Sequence, residues 1–107
     1  NVIAPERYGE FPAFDNDINA RKWNLWAYID VRDAAQSCRL ALESPLKGAD
    51  VFVIANEDGV MSRSNDSLLD EAFPGIARKR PIGPNETLLS IDRAKKVLGY
   101  KPQFGWR

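Results

Sequence analysis

The sequence predicts a small α/β lobe with about three helices and one or two short strands of the parallel type. Three observations carry that prediction. Apolar residues at 31, 34, 35, 38, 41 and 42 recur at helical spacing and leave one stripe to bury. Val51-Phe52-Val53-Ile54-Ala55 is a continuous apolar run between two turn clusters, the pattern of a strand covered on both faces. After Ser90, the apolar residues Ile91, Ala94, Val97 and Leu98 mark a short helix that stops at Gly99, with Pro102 just beyond.

Taken in order, residues 1–5 read as the end of a strand or an extended loop, because the residue before Pro5 is kept out of the helical region. Residues 5–27 combine Gly9, Pro12, Asp15, Asn16, Asp17 and Asn19 with Tyr8, Phe11, Phe14, Trp23 and Trp26. This is loop chemistry carrying large apolar side chains, long for a connection, and it fits an ordered binding segment or a disordered one. Residues 28–31 form a short strand or an extended lead into the first helix. Asp30 is placed to cap that helix, and Asp33 adds negative charge to its first turn. Ser44-Pro45 ends it, and Gly48-Ala49-Asp50 turns into the run at 51–55, the strongest strand in the sequence. Asn56-Glu57-Asp58-Gly59 is a turn. A second helix spans about residues 65–73, capped by Ser64 or Asn65, with Leu68, Leu69, Ala72 and Phe73 inward and Pro74-Gly75 as its stop. Residues 77–84 are basic and irregular. One strong strand makes no sheet, so residues 51–55 call for neighbours outside this chain or in an oligomer.

Composition narrows the function. The 107 residues carry 15 Lys+Arg against 15 Asp+Glu, and this zero balance argues against general affinity for nucleic acid or a membrane surface. With no His and a lone Cys38, there is no Ser-His-Asp triad, no Cys-His dyad, no ordinary zinc site and no internal disulfide. The single cysteine suits a reducing, cytoplasmic compartment. No apolar run approaches the length of a membrane span. Residue 1 is Asn and the apolar pattern starts at once, so the expectation is a segment of a longer protein.

Three segments, in order and at the right spacing, resemble the C-terminal part of the extended short-chain dehydrogenase/reductases, the NAD-dependent epimerase/dehydratase family. Asn1-Val2-Ile3-Ala4-Pro5 is similar to that family's Asn-Val-Tyr-Gly-Pro. Residues 28–35, Tyr-Ile-Asp-Val-Arg-Asp-Ala-Ala, resemble its Tyr-Val-x-Val-x-Asp-Val-Ala. Residues 92–102, Asp-Arg-Ala-Lys-Lys-Val-Leu-Gly-Tyr-Lys-Pro, resemble its terminal Ser-Lys-Ala-x-x-x-Leu-Gly-Trp-x-Pro. The resemblance implies a Rossmann-type fold of which residues 1–107 are the C-terminal substrate-binding portion, without the N-terminal portion that binds NAD or NADP. Neither the family's Gly-rich turn nor its Tyr-x-x-x-Lys pair occurs here. The implied catalytic, cofactor-binding and metal residues of this chain are therefore none, and its implied task is to close over a substrate and position it.

The resemblance also nominates substrate contacts. Asn1 matches an Asn that touches the substrate's phosphate or sugar, and its amide has two hydrogens to donate. Arg80 stands where nucleotide-sugar epimerases place a diphosphate-binding Arg, whose fork suits phosphate; as part of Arg78-Lys79-Arg80 it also reads as solvated surface. The acid expected three positions later is missing, because Gly83 is there. Ala4 replaces the usual Gly. Trp26 takes the place of a second diphosphate-binding Arg; its ring is able to stack on a base or sugar but not to neutralise phosphate, and Trp23, Trp26 and Tyr28 equally suit a core or lobe interface. Arg7 and Tyr8 lie in the loop expected to border the pocket, with Arg7 a substitute for the missing charge. Met61, Arg63 and Ser64 follow the apolar run and are placed to line the cleft; Asp33 and Trp106 read as structural.

The expected function is that of the substrate-binding part, inactive alone, of an NAD(P)-dependent epimerase, dehydratase or reductase. Its substrate would be sugar-like or a nucleoside-diphosphate sugar, its first partner the N-terminal Rossmann lobe, and a homodimeric parent stays open. Two alternatives stand beside it: a non-catalytic binding or regulatory member of the same fold, suggested by Trp26 and Gly83, and a free-standing α/β interaction module.

Overall fold

The computed structural model describes residues 1–107, which fold into a mixed α/β unit. Strand β1 (Val2–Ile3) is followed by two 3-10 stretches, Pro5–Asn16 and Ile18–Asn24. Strand β2 (Ile29–Asp30) runs directly into α1 (Val31–Glu43), and α2 (Asn65–Ala72) and α3 (Asp92–Leu98) follow. β1 and β2 pair in parallel, Val2 against Ile29 and Ile3 against Asp30. These are the two weaker candidates for strands in the sequence.

The 3-10 stretches have a reason in the spacing of their side chains. Three residues per turn bring positions i and i+3 onto one line. Tyr8, Phe11 and Phe14 are so spaced, with neighbouring ring centroids 5.5 and 5.6 Å apart, and Phe11 is fully buried. Pro5, the first residue of the stretch, already has the φ a helical turn needs. In the second stretch Ile18, Arg21 and Asn24 share a line, and Ile18 goes into the core. The segment is thus ordered by aromatic burial, which resolves the choice between a structured and a disordered loop.

The chain leaves the second stretch through two consecutive left-handed residues, Leu25 (φ 53°) and Trp26 (φ 56°). Each costs an L-residue roughly 1–2 kcal/mol. Trp26 offsets this by full burial, its indole N–H donating to the Ile18 carbonyl at 2.8 Å. Trp26 and Tyr28 are therefore core residues, packed with Ile3, Phe11, Val60 and Leu68, whereas Trp23 is 74% exposed. A second, smaller core gathers Ile29, Ala55, Ile91, Ala94 and Tyr100.

Helix starts and stops follow local chemistry. Asp30 caps α1, accepting from the Arg32 amide at 2.8 Å; Ser64 caps α2; Gly99 ends α3 in the left-handed region at φ 70°. Two expectations need correction. Residues 51–55 form no strand: they run without a ladder partner and alternate, with Val51 82% exposed, Val53 exposed, Phe52 and Ile54 half-buried and Ala55 buried. Only one side of this run meets the second core, and β2 meets it only at its end, where the Asn56 amide donates to the Tyr28 carbonyl at 2.8 Å. The apolar stripe of α1 is likewise not buried. Val31, Ala35, Cys38 and Leu42 form an exposed line, and the one fully buried residue of the helix is Asp33. Val97 of α3 is exposed too.

Residues 100–107 cross the molecule as a strap. Tyr100 donates its hydroxyl to the Ala55 carbonyl (3.0 Å), and the Gln103 and Phe104 amides donate to the Asp33 carboxylate (3.0–3.1 Å). The Trp106 indole donates to the Gly59 carbonyl (3.0 Å) and packs edge-on against Phe11. Asp33 and Trp106 hold the strap down, as structural residues would. No helix is long and apolar enough to cross a membrane.

Candidate functional site

The first half of the chain converges on one polar corner. The 3-10 turn that starts at Pro5 leaves Arg7 exposed and Tyr8 half-buried, and Asn1 leads directly into β1. The Tyr8 hydroxyl donates to the Asp30 carboxylate. Asp30, fully buried, also receives the Arg32 guanidinium through Nε at 2.8 Å and Nη2 at 2.9 Å. Arg32 lies over the Phe104 ring, its guanidinium carbon 3.7 Å from the centroid. The Arg32 hydrogen bonds hold the Asp30 carboxyl down to about 2, and burial together with Asp30 pushes the Tyr8 phenol up to about 12. Tyr8 is therefore a neutral hydrogen-bond donor to Asp30 at ordinary pH.

On the same side, Arg21 reaches back from its 3-10 line. With its amide oxygen turned inward, Asn1 accepts from Arg21 Nη1 and Nη2 at 2.9 and 2.7 Å. Arg21 Nη2 also donates to the Ala27 carbonyl at 3.3 Å, and its guanidinium carbon stands 4.7 Å from the centroid of the Phe14 ring. Arg7, tied bidentately to Glu10, adds a second positive charge here. Burial, with the Arg7 charge behind it, lowers the Arg21 pKa from its ordinary value.

Of the other nominated residues, Trp26 is tied to this corner only through its backbone amide, which donates to the Arg21 carbonyl at 3.2 Å, while Met61, Arg63, Ser64 and Arg80 have no hydrogen bond or ion pair to it. Arg63 is bound to Ser67 Oγ and Glu71 at the start of α2, Ser64 is its cap, and Met61 is buried in the main core. Arg80 pairs with Glu86, which also accepts from the Gly83 amide at 2.9 Å and whose pKa is lowered chiefly by Arg80. A Cβ on Gly83 would sit 3.4–3.5 Å from the Glu86 side chain. Glu86 thus supplies the carboxylate beside Gly83 and Arg80. Arg80, Glu86, Thr87, Ser90, Asp92 and Lys95 line an open groove of about 280 Å³.

Two groups escaped the sequence reading, Arg21 and Glu86. A period of three in residues 8, 11 and 14, continued by 18, 21 and 24, was the available signal for Arg21. Glu86 had none, because its role depends on a loop closing. The β2–α1 junction, where a strand feeds a helix, is closed by the Asp30 carboxylate, whose charge and position oppose a pyrophosphate. No group of three His, Cys, Asp or Glu is placed to hold a metal ion. Comparison of the chain with protein-family models, with curated proteins and with solved structures returns no match.

Proposed function

We propose that this chain is the substrate-binding, C-terminal part of a Rossmann-type NAD(P)-dependent epimerase, dehydratase or reductase. Its substrate is sugar-like or a nucleotide sugar, and cofactor binding and proton transfer belong to a separate N-terminal lobe. One observation carries this reading: the three segments that bear the family resemblance assemble into one unit. β1 pairs in parallel with β2; Asp33, at the start of α1, receives the amides of Gln103 and Phe104, just after the third segment; and α1 packs against α3. Segments alike by chance have no reason to seek one another out.

The open edge of residues 51–54 and the exposed line Val31, Ala35, Cys38 and Leu42 support the same reading, since both suit a larger parallel sheet with covering helices. The test is made on the complete coding sequence. A Gly-rich turn and a Tyr-x-x-x-Lys pair ahead of Asn1 are expected, with NAD(P) bound by the complete protein and not by residues 1–107 alone. Tight NAD binding by residues 1–107, or a coding sequence without either motif, overturns the proposal. The buried Trp26, in a place where the family has an arginine, favours a second reading: a member of the same fold that binds a ligand without turning it over.

A further inference from the structure

The chain has nine arginines, and eight of them form ion pairs with carboxylates. Arg21 is the ninth. It is also half-buried, and the charged group that acts on it is another cation, Arg7. An arginine does not escape this situation by losing its proton. A partly desolvated guanidinium without a counter-charge is a cost the fold carries, and every other arginine shows how readily this chain supplies a carboxylate.

What Arg21 has instead is a neutral substitute. The amide oxygen of Asn1 sits in the fork between Nη1 and Nη2, at 2.9 and 2.7 Å, where one oxygen of a phosphate or carboxylate would sit. The Nε–H is buried with no acceptor at all. The guanidinium is held in place from two sides, by the Phe14 ring and by the Ala27 carbonyl, and its backbone belongs to the 3-10 line anchored by Ile18. Its direction is set before any ligand arrives, which is what an anion-binding fork requires.

We propose that Arg21, flanked by Asn1 and Arg7, is an oxyanion-binding site that takes the phosphate or carboxylate group of a small ligand. The oxyanion enters the fork and displaces the Asn1 carbonyl oxygen, and Asn1 then turns its NH₂ toward the anion. One unmatched guanidinium on a chain of zero net charge suits a single anionic group, not a polyanion. That the group belongs to the substrate rests on the function proposed above; the site itself does not.

The experiment titrates the 107-residue chain with inorganic phosphate, with acetate and with chloride at constant ionic strength, following the Arg21 Nε–H resonance by NMR. Phosphate or acetate should give a saturating shift with a dissociation constant on the order of 1 mM, and chloride should not. The preferred anion tells phosphate from carboxylate. R21Q should weaken binding by roughly tenfold or more, and R7Q, at an exposed position where folding is not at risk, by a smaller factor. A shift that tracks chloride, or R21Q and R7Q variants that both bind like the parent chain, overturns the site. A coding sequence lacking the cofactor motifs would sink the oxidoreductase reading and leave this binding intact, so the two failures are distinguishable.

Discussion

Asp33 and Asp30, three residues apart, show how one residue type does two jobs. Both are fully buried, yet Asp33 is satisfied by strap amides and Asp30 by a guanidinium and a phenol. Asp33→Asn keeps the shape but loses the charge and one acceptor oxygen. It should cost about 1.5–3 kcal/mol in urea unfolding and raise amide exchange at 103 and 104. Asp30 sets an acid limb. Its folded carboxyl titrates near 2 against an ordinary 3.8, so its contribution is complete above pH 3.8 and is lost as pH falls toward 2. Tyr8 works in the opposite sense: with its pKa raised from 10.0 to about 12, its contribution is complete below pH 10 and is lost as pH rises through 12. Stability measured across pH should therefore lose part of its acid limb in D30N and part of its alkaline limb in Y8F. The capping role of Asp30 was legible from its place before a helical stripe. Its link to Tyr8 was not, because the two are 22 positions apart and the chain between them folds through two unpredicted 3-10 stretches.

At the scale of elements, the helices and the two short strands were legible, and the error lay in the apolar run at 51–55. The caps and stops at 30, 64, 75 and 99 are local chemistry, and the chain obeys them. Strand formation needs a neighbour, and that information is not local: the apolar run at 51–55 lacks one, while the unremarkable pairs at 2–3 and 29–30 have each other. The 3-10 stretches were missed because a search for periods of 3.6 and 2 passes over a period of 3. The exposed line on α1 supplies a test of the proposed function. Leu42 is 88% exposed, so Leu42→Glu should change the stability of residues 1–107 by less than about 0.5 kcal/mol. If the proposed function holds, the same change in a protein that also carries the NAD(P)-binding lobe should weaken lobe docking, read as loss of NAD(P) affinity or a lower melting temperature. Equal, small effects in both contexts would mean that nothing covers this face.

For the whole molecule, the joint between the two cores is Tyr28. Its hydroxyl donates to Asp58 (2.9 Å) and accepts from Asn56 Nδ2 (2.9 Å) and the Trp106 amide (3.3 Å); Asn56 in turn donates to the Phe104 carbonyl (2.6 Å). Burial and the Asp58 charge push its phenol well above the ordinary value, so it stays neutral. Tyr28→Phe preserves the ring and removes every one of these bonds to the hydroxyl. A loss of about 1–3 kcal/mol is expected, with the melting of the Trp106 signal moving ahead of the rest. No part of this hub was visible in the sequence, since its members are 28 to 78 residues apart. The reversal at Leu25 and Trp26 has a consequence of another kind. A bend made against the handedness of L-residues survives only while the indole is docked, and Arg21 rides on the same short segment. Seating the indole and filling the guanidinium fork are then thermodynamically linked, each making the other harder to undo. An occupant at the rim would reach the interior without touching it.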